Sequence, residues 1–175
     1  VLAVAASRTL ASNLYARGAR LRTDLDLLTE LWYGRPVLPT QAIYEHAAPQ
    51  ATQSRPDKLT RLRKAITERG ADWHFLATLD DIAWLFNLRG EDVSYNPVFI
   101  SFALIGPDSV SLFVAPEKVN PALRKTLENE GITLREYTAI GAALREVPKA
   151  ARLLVDPARV TCGLLDYLDS EVTLV

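Results

Sequence analysis

From Ser54 onward the chain alternates two periodicities. Ser54 and Asp57 stand three residues apart ahead of Leu59, Leu62 and Ile66, which recur at helical spacing until Gly70. That pattern predicts a helix with an approximate capping box at its start and a glycine at its end. Trp73 to Ala77 then reads as a short strand, and Asp80 to Phe86 as a short helix capped by Thr78 and Asp81. A polar loop spans Asn87 to Pro97. The apolar runs Val98 to Ile105 and Val110 to Val114 predict two strands, and Gly106-Pro107-Asp108-Ser109 between them has the chemistry of a hairpin turn. Beyond Pro116 a helix is expected to about Asn129, with Gly131 past its end. A strand at Ile132 to Tyr137 and a helix at Ile140 to Val147 follow. Leu153 to Asp156 is a strand, Pro157 to Leu168 mostly helix, and Val172 to Val175 a last strand. Short strands alternating with helices predict a layered α/β domain. The hairpin makes at least one pairing antiparallel, so the six strands should form a mixed sheet flanked by helices.

The first third reads differently. Arg8 to Arg17 predicts a helix ended by Gly18. Asp24 to Tyr33 predicts a second, with Thr23 as N-cap, Asp26 three residues on, and Leu25, Leu28, Leu31 and Trp32 as its buried stripe. Gly34 to Pro56 carries Pro36, Pro39, Pro49 and Pro56 with few periodic apolar residues, which is the pattern of an interdomain linker.

Composition narrows the function. The 175 residues are 49% hydrophobic and 23% charged, with a formal net charge of -1. Nothing in the bulk electrostatics points to nucleic acid or to a membrane surface. The longest apolar runs, such as Val98 to Ile105, are strand-sized and too short to span a bilayer. The one cysteine, Cys162, excludes an intrachain disulfide and fits a reducing compartment. No basic segment precedes the apolar start, so no signal peptide is expected. The chain opens on Val1, contains no methionine and stops in an apolar stretch, so an excised piece of a longer protein is expected.

The motifs of catalysis are missing from these residues. His46 and His74 are the only histidines. They stand far apart, without a second ligand at helical spacing, and there is no HExxH, CxxC or calcium loop. Asp80-Asp81 is a carboxylate pair, but adjacent helical positions point apart, and Asp81 reads as a favourable charge at a helix start. Cys162 reads as a buried, inert thiol. No Gly-x-Ser-x-Gly, GxGxxG or Walker spacing occurs. His74, Trp84 and Phe86 read as core or sheet-face residues. The segment Asn87 to Pro97 is harder to assign. Arg89 is a planar five-donor group able to hold a carboxylate, Gly90 permits a left-handed turn, and Asn96-Pro97 fixes the approach to the next strand. It is either a solvated loop in which Arg89 pairs with Glu91 or Asp92, or a loop presented to a neighbouring domain or a substrate.

The run Leu79-Asp80-Asp81-Ile82-Ala83-Trp84-Leu85-Phe86-Asn87-Leu88-Arg89-Gly90, followed by Asn96-Pro97-Val98-Phe99, closely resembles the second domain of three-domain Xaa-Pro aminopeptidases. Lys58-Leu59 and Leu62-Arg63 resemble that domain's opening helix. Leu27 to Pro39, with Trp32 ahead of Arg35-Pro36, resembles the end of the first domain and the linker. The resemblance implies the creatinase/prolidase amino-terminal fold over 57–175, a linker at 41–56, and the carboxy-terminal tail of a preceding domain at 1–40. It implies a cytoplasmic parent enzyme that removes the amino-terminal residue preceding proline. Two divalent metals, usually manganese, would be held by two Asp, one His and two Glu of a following "pita-bread" catalytic domain. No position here matches those ligands, so no catalytic or metal residue is assigned and the piece alone is expected to be inactive. The partners implied are that catalytic domain, a peptide with proline in second position, and a second copy in a homodimer. Asn87, Arg89 and Asn96 are the expected substrate-channel or interdomain residues. Two other readings remain at this level: a stand-alone peptide- or protein-binding module of the same fold, and, remotely, a small hydrolase using Cys162 and a histidine. The sequence that follows Val175 separates the first two.

Overall fold

The computed structural model describes residues 2–23, 25, 29 and 31–175. In chain order the elements are α1 (Val4–Tyr15), β1 (Tyr44–Glu45), α2 (Arg55–Glu68), β2 (Trp73–Leu76), α3 (Leu79–Leu85), β3 (Leu88–Arg89), β4 (Phe102–Ile105), β5 (Val110–Phe113), α4 (Pro121–Asn129), β6 (Thr133–Arg135), α5 (Ile140–Arg145), β7 (Arg152–Val155), α6 (Cys162–Leu165) and β8 (Thr173–Leu174). The main sheet is mixed and six-stranded, in the order β6-β5-β4-β2-β7-β8. β4 runs antiparallel to β2 and β5, and the other three pairings are parallel.

The two-residue period of the strands builds two cores. Ala103 and Ile105 of β4, with Val110 and Leu112 of β5, face a layer that includes Leu59, Ile66, Ile82 and Leu127 of α2, α3 and α4. Leu104 and Phe113 point the other way, onto Ile140 and Leu144 of α5, Leu153 of β7 and Val160. Helices thus cover both faces, as strands apolar on both sides require.

Several boundaries follow the local chemistry. Ser54 Oγ accepts from Asp57 N at 3.2 Å and donates to Asp57 Oδ2 at 2.7 Å. Gly70 closes α2 at φ 71°. The helix expected from Pro116 divides into a 3-10 turn at Pro116–Lys118 and α4, which starts only where Asn120 Oδ1 accepts from Leu123 N at 2.9 Å. The strand expected at Val98 begins only at Phe102, and the helix expected over Pro157 to Leu168 shrinks to α6. Thr78 makes no side-chain cap bond to α3.

The amino-terminal third departs furthest from its pattern. The start of α1 is pinned to the 157–162 loop: Val4 N donates to Val160 O at 3.0 Å, and Ala5 N to Pro157 O at 2.8 Å. The helix expected over Asp24 to Tyr33 falls largely outside the described residues. Of its expected buried stripe, Leu25, Leu31 and Trp32 are exposed, and among the described residues they belong to neither apolar core. Residues 41–56, expected as a linker, supply β1, which pairs with β3 across the Tyr44–Arg89 and Glu45–Leu88 register. Ile43 beside it is 1% exposed and donates its backbone N–H to Lys118 O at 2.8 Å. This stretch is therefore packed onto the domain.

Candidate functional site

The polar loop after α3 is organised by a left-handed residue at its start. That residue is Asn87, at φ 50°, a region asparagine tolerates well. Gly90, expected to make such a turn, has no positive φ. Its lack of a side chain answers a different need: a Cβ there would lie 2.8 Å from Phe99 Cβ and 3.3 Å from Val98 O. Phe99 is a fully buried core residue. Gly90→Ala is therefore expected to destabilise the domain by about 1–3 kcal/mol through overpacking. Thermal unfolding checks this, and an unchanged midpoint would mean that the 97–99 segment gives way.

Asn87 is turned inward. Its Nδ2 donates to Gln53 O at 2.8 Å, its Oδ1 accepts from Lys58 Nζ at 2.6 Å, and its backbone O accepts from His46 N at 2.8 Å. Both ends of the amide are used inside the domain, as a buried amide requires. Arg89 and Asn96 are half-buried and hold the two ends of α3. Arg89 Nη1 donates to Ala83 O at 2.9 Å and Leu88 O at 2.8 Å, which satisfies a carbonyl at the helix C-terminus. Asn96 Nδ2 donates to Asp80 Oδ1 at 3.1 Å in the first turn. Among the described residues, Arg89 forms no ion pair with Glu91 or Asp92, and its Nε and Nη2 make no hydrogen bond. Asp92 turns away into a fully buried pair with Lys118 and also accepts from Ile100 N at 2.6 Å.

Three buried cations fasten this region, and the sequence reading missed all of them. Arg55 reaches Glu130 through Nε at 2.6 Å, Glu45 through Nη2 at 2.7 Å and Phe86 O through Nη1 at 3.2 Å. Burial opposes its charge, but the hydrogen bonds it donates to Glu130 and Glu45, with their negative charges, together outweigh burial and hold its pKa above the ordinary value. Lys58 donates to Trp84 O at 2.7 Å as well as to Asn87. Burial, joined by repulsion from Arg89, pulls its pKa down. A signal was present: Arg55, Lys58, Leu59 and Leu62 share one helical face, so the two cations extend the apolar stripe by a turn. Their aliphatic stems read as polar positions, although such stems commonly line a core.

Arg55, Asn87, Glu45, Glu130, His46 and Gln53 line a cleft of about 270 Å³. A second cleft, of about 240 Å³, lies beside Arg124 and Arg135. His74 is a sheet-face residue as expected: its Nδ1 lies 2.9 Å from Leu154 O, and burial lowers its pKa despite that bond. Cys162 is half-buried, not fully enclosed as expected, because α6 is short and lies at the rim of the second core. Phe86 is in the core, but Trp84 is 50% exposed. Among the described residues, no three His, Cys, Asp or Glu side chains gather as a metal centre would need. These residues do not fit the two divalent ions the resemblance implies.

A family profile described as the Creatinase/Prolidase N-terminal domain matches residues 34–175. The chain is 36% identical over 150 residues to a probable Xaa-Pro aminopeptidase P of Aspergillus niger, covering 85% of this chain and 24% of that protein. It is 34% identical over 155 residues to a probable Xaa-Pro aminopeptidase P of Talaromyces marneffei, covering 87% and 23%. The chain spans about a quarter of the length of the curated relatives it matches. The fold is also that of an X-prolyl aminopeptidase from Caenorhabditis elegans, described as a cytosolic enzyme with a di-nuclear active site. The TM-score is 0.87 at 20% identity, over 98% of this chain and 29% of that one.

Proposed function

The chain belongs to the creatinase/prolidase N-terminal domain family, and from that membership we propose that it is the non-catalytic accessory domain of a cytoplasmic Xaa-Pro aminopeptidase. The parent would remove an amino-terminal residue preceding proline, with two divalent ions held in a separate catalytic domain of the same polypeptide. The observation that carries this reading is the similarity to Xaa-Pro aminopeptidases P through most of the chain. Residues 1–40 would be the end of a preceding domain. Leu25, Leu31, Trp32, Tyr33, Val37 and Leu38 are all exposed here, and so many large apolar side chains in one stretch support the reading that a preceding domain would cover them.

The domain's contribution is shape and contact. Arg89 is the outward-facing candidate: one nitrogen secures α3 and the rest of the guanidinium is left to a carboxylate or carbonyl from the catalytic domain or the peptide. In the full-length protein, Arg89→Ala should lower kcat/KM for an Xaa-Pro peptide about tenfold, the equivalent of about 1.4 kcal/mol. The stability lost with its helix-end bonds should be only about 0.5–1.5 kcal/mol. Steady-state kinetics beside thermal unfolding check this. Unaltered kinetics with a lowered midpoint would reduce Arg89 to a structural residue, and a full-length protein inactive on Xaa-Pro peptides would remove the assignment itself.

A further inference from the structure

Trp84 belongs by pattern to the core, yet half of its surface is in water. It is nevertheless held in one place. Lys58 Nζ lies 4.3 Å from the centre of the indole, and that ammonium is fixed by Trp84 O and Asn87 Oδ1. Lys58 itself is only 5% exposed. A buried cation thus orients an exposed aromatic ring, an arrangement that costs desolvation and gives nothing to the core. One helical turn before Trp84, on the same face of α3, Asp80 accepts from Asn96. Next to Asn96, Tyr95 projects fully into solvent at φ 63°, from a turn closed by the bond from Asn96 N to Val93 O at 3.2 Å. Val93 is also exposed. The Asp80–Asn96 bond thus ties α3, which carries the exposed Trp84, to the loop that carries the exposed Val93 and Tyr95. The exposed charges between Leu79 and Pro97 are the carboxylates of Asp80, Asp81 and Glu91, with the half-buried Arg89 as the one cation in that stretch.

We propose that the surface carrying Trp84, Val93 and Tyr95 seats a segment of the same polypeptide lying outside these residues, an apolar side chain stacked on Trp84 with lysine or arginine beside it facing Asp80. The inference rests on the reading of the chain as one domain of a longer peptidase. Its curated relatives are about four times as long, so most of the parent's surface is available as a partner. The acidic rim calls for a basic flank. A half-exposed aromatic already oriented by a neighbouring cation, as Trp84 is, suits an interface anchor, because less entropy is lost when it is covered. A peptide substrate suits this surface less well, since such ligands lie in concave sites. The clefts of about 270 and 240 Å³ are lined by neither Trp84 nor Tyr95. A second copy packed two-fold on this surface would bring like carboxylates together.

Hydroxyl-radical footprinting of the full-length protein, read by mass spectrometry, tests the inference without any mutation. Trp84 and Tyr95 should be oxidised at least about tenfold more slowly than in the urea-unfolded protein, because a covered anchor is screened from water. That protection should be the same in dilute and concentrated samples, with and without an Xaa-Pro peptide. Oxidation near the unfolded rate would overturn the inference. So would protection that appears only at high concentration, which would indicate a second copy, or only with the peptide, which would indicate the substrate. Asp80→Lys with Asp81→Lys should raise Tyr95 oxidation towards the unfolded rate, and unchanged protection would exclude a basic partner. Peptidase activity of the same preparation is scored separately. An active enzyme with Trp84 open sinks this inference and leaves the domain assignment standing.

Discussion

Replacing Lys118 with methionine is expected to lower the unfolding free energy by about 3–5 kcal/mol, the range for breaking a buried ion pair by removing one partner. Lys118 and Asp92 have side-chain exposures of 1% and 0%. Methionine refills most of the volume of the lysine stem, so packing alone would predict a small change. The large cost comes from what stays behind. Asp92 would keep a single donor, the Ile100 N–H, and its Oδ1 already has no partner among the described residues. An ionised carboxylate in that position has neither water nor a counter-charge. Lys118→Met combined with Asp92→Asn should recover more than half of the loss, since the amide oxygen still accepts from Ile100 and no charge remains. Urea denaturation of the chain checks both variants. Lys118→Met within about 1 kcal/mol of the parent would mean that the pair only breaks even against apolar packing.

The same pair explains which parts of the fold were legible. Local signals were read correctly where local chemistry decides. Ser54 caps α2, Gly70 ends it, and the Gly106 to Ser109 turn joins two antiparallel strands, with Gly106 N donating to Ser109 O at 2.9 Å. The six-stranded mixed sheet followed from such signals. What failed depends on partners far away in sequence. Val98 to Ser101 is as apolar as any strand, yet it is held by Asp92 and by the close approach of Gly90 to Phe99, so pairing begins only at Phe102. β1 is two residues long and lies among prolines. Its register is set by β3 and by Arg55 reaching Glu45. The candidate site divided in the same way. The segment Asn87 to Asn96 was visible as a polar island between apolar elements. That Asn87 faces inward and that the Trp84 ring lies over an ammonium depend on Lys58, and that Arg89 serves the end of α3 depends on Ala83 O; only the tertiary structure reveals these partners.

Arg55 carries the other large expectation. Its side chain is 4% exposed and bonds four times, twice to Glu130 and once each to Glu45 and Phe86 O. It thereby ties the start of α2 to β1, to the end of α3 and to the residue that closes α4. Arg55→Met should cost about 1–3 kcal/mol, because it leaves the Phe86 carbonyl without its buried donor, while the carboxylates of Glu45 and Glu130, 43% and 28% exposed, are partly screened by water. Arg55→Lys should remain clearly destabilised, since a point charge cannot reproduce the forked contact with Glu130 and reach Phe86 O as well. Lysine matching arginine in urea denaturation would mean that charge alone matters and the geometry does not.

Arg55 and Lys118 act on the same stretch of chain from opposite ends. Lys118 receives Ile43 N on its backbone and donates from Nζ to Pro39 O at 3.4 Å, while Arg55 holds Glu45. If that stretch detaches as a unit, the first substitution already releases it and the second finds less to break. The double variant Arg55→Met with Lys118→Met should then lose less than the two single losses added, by about 0.5–3 kcal/mol, the range for coupled sites. Strict additivity would mean that each cation secures only its own neighbours, and that the connector into the preceding residues is pinned at separate points.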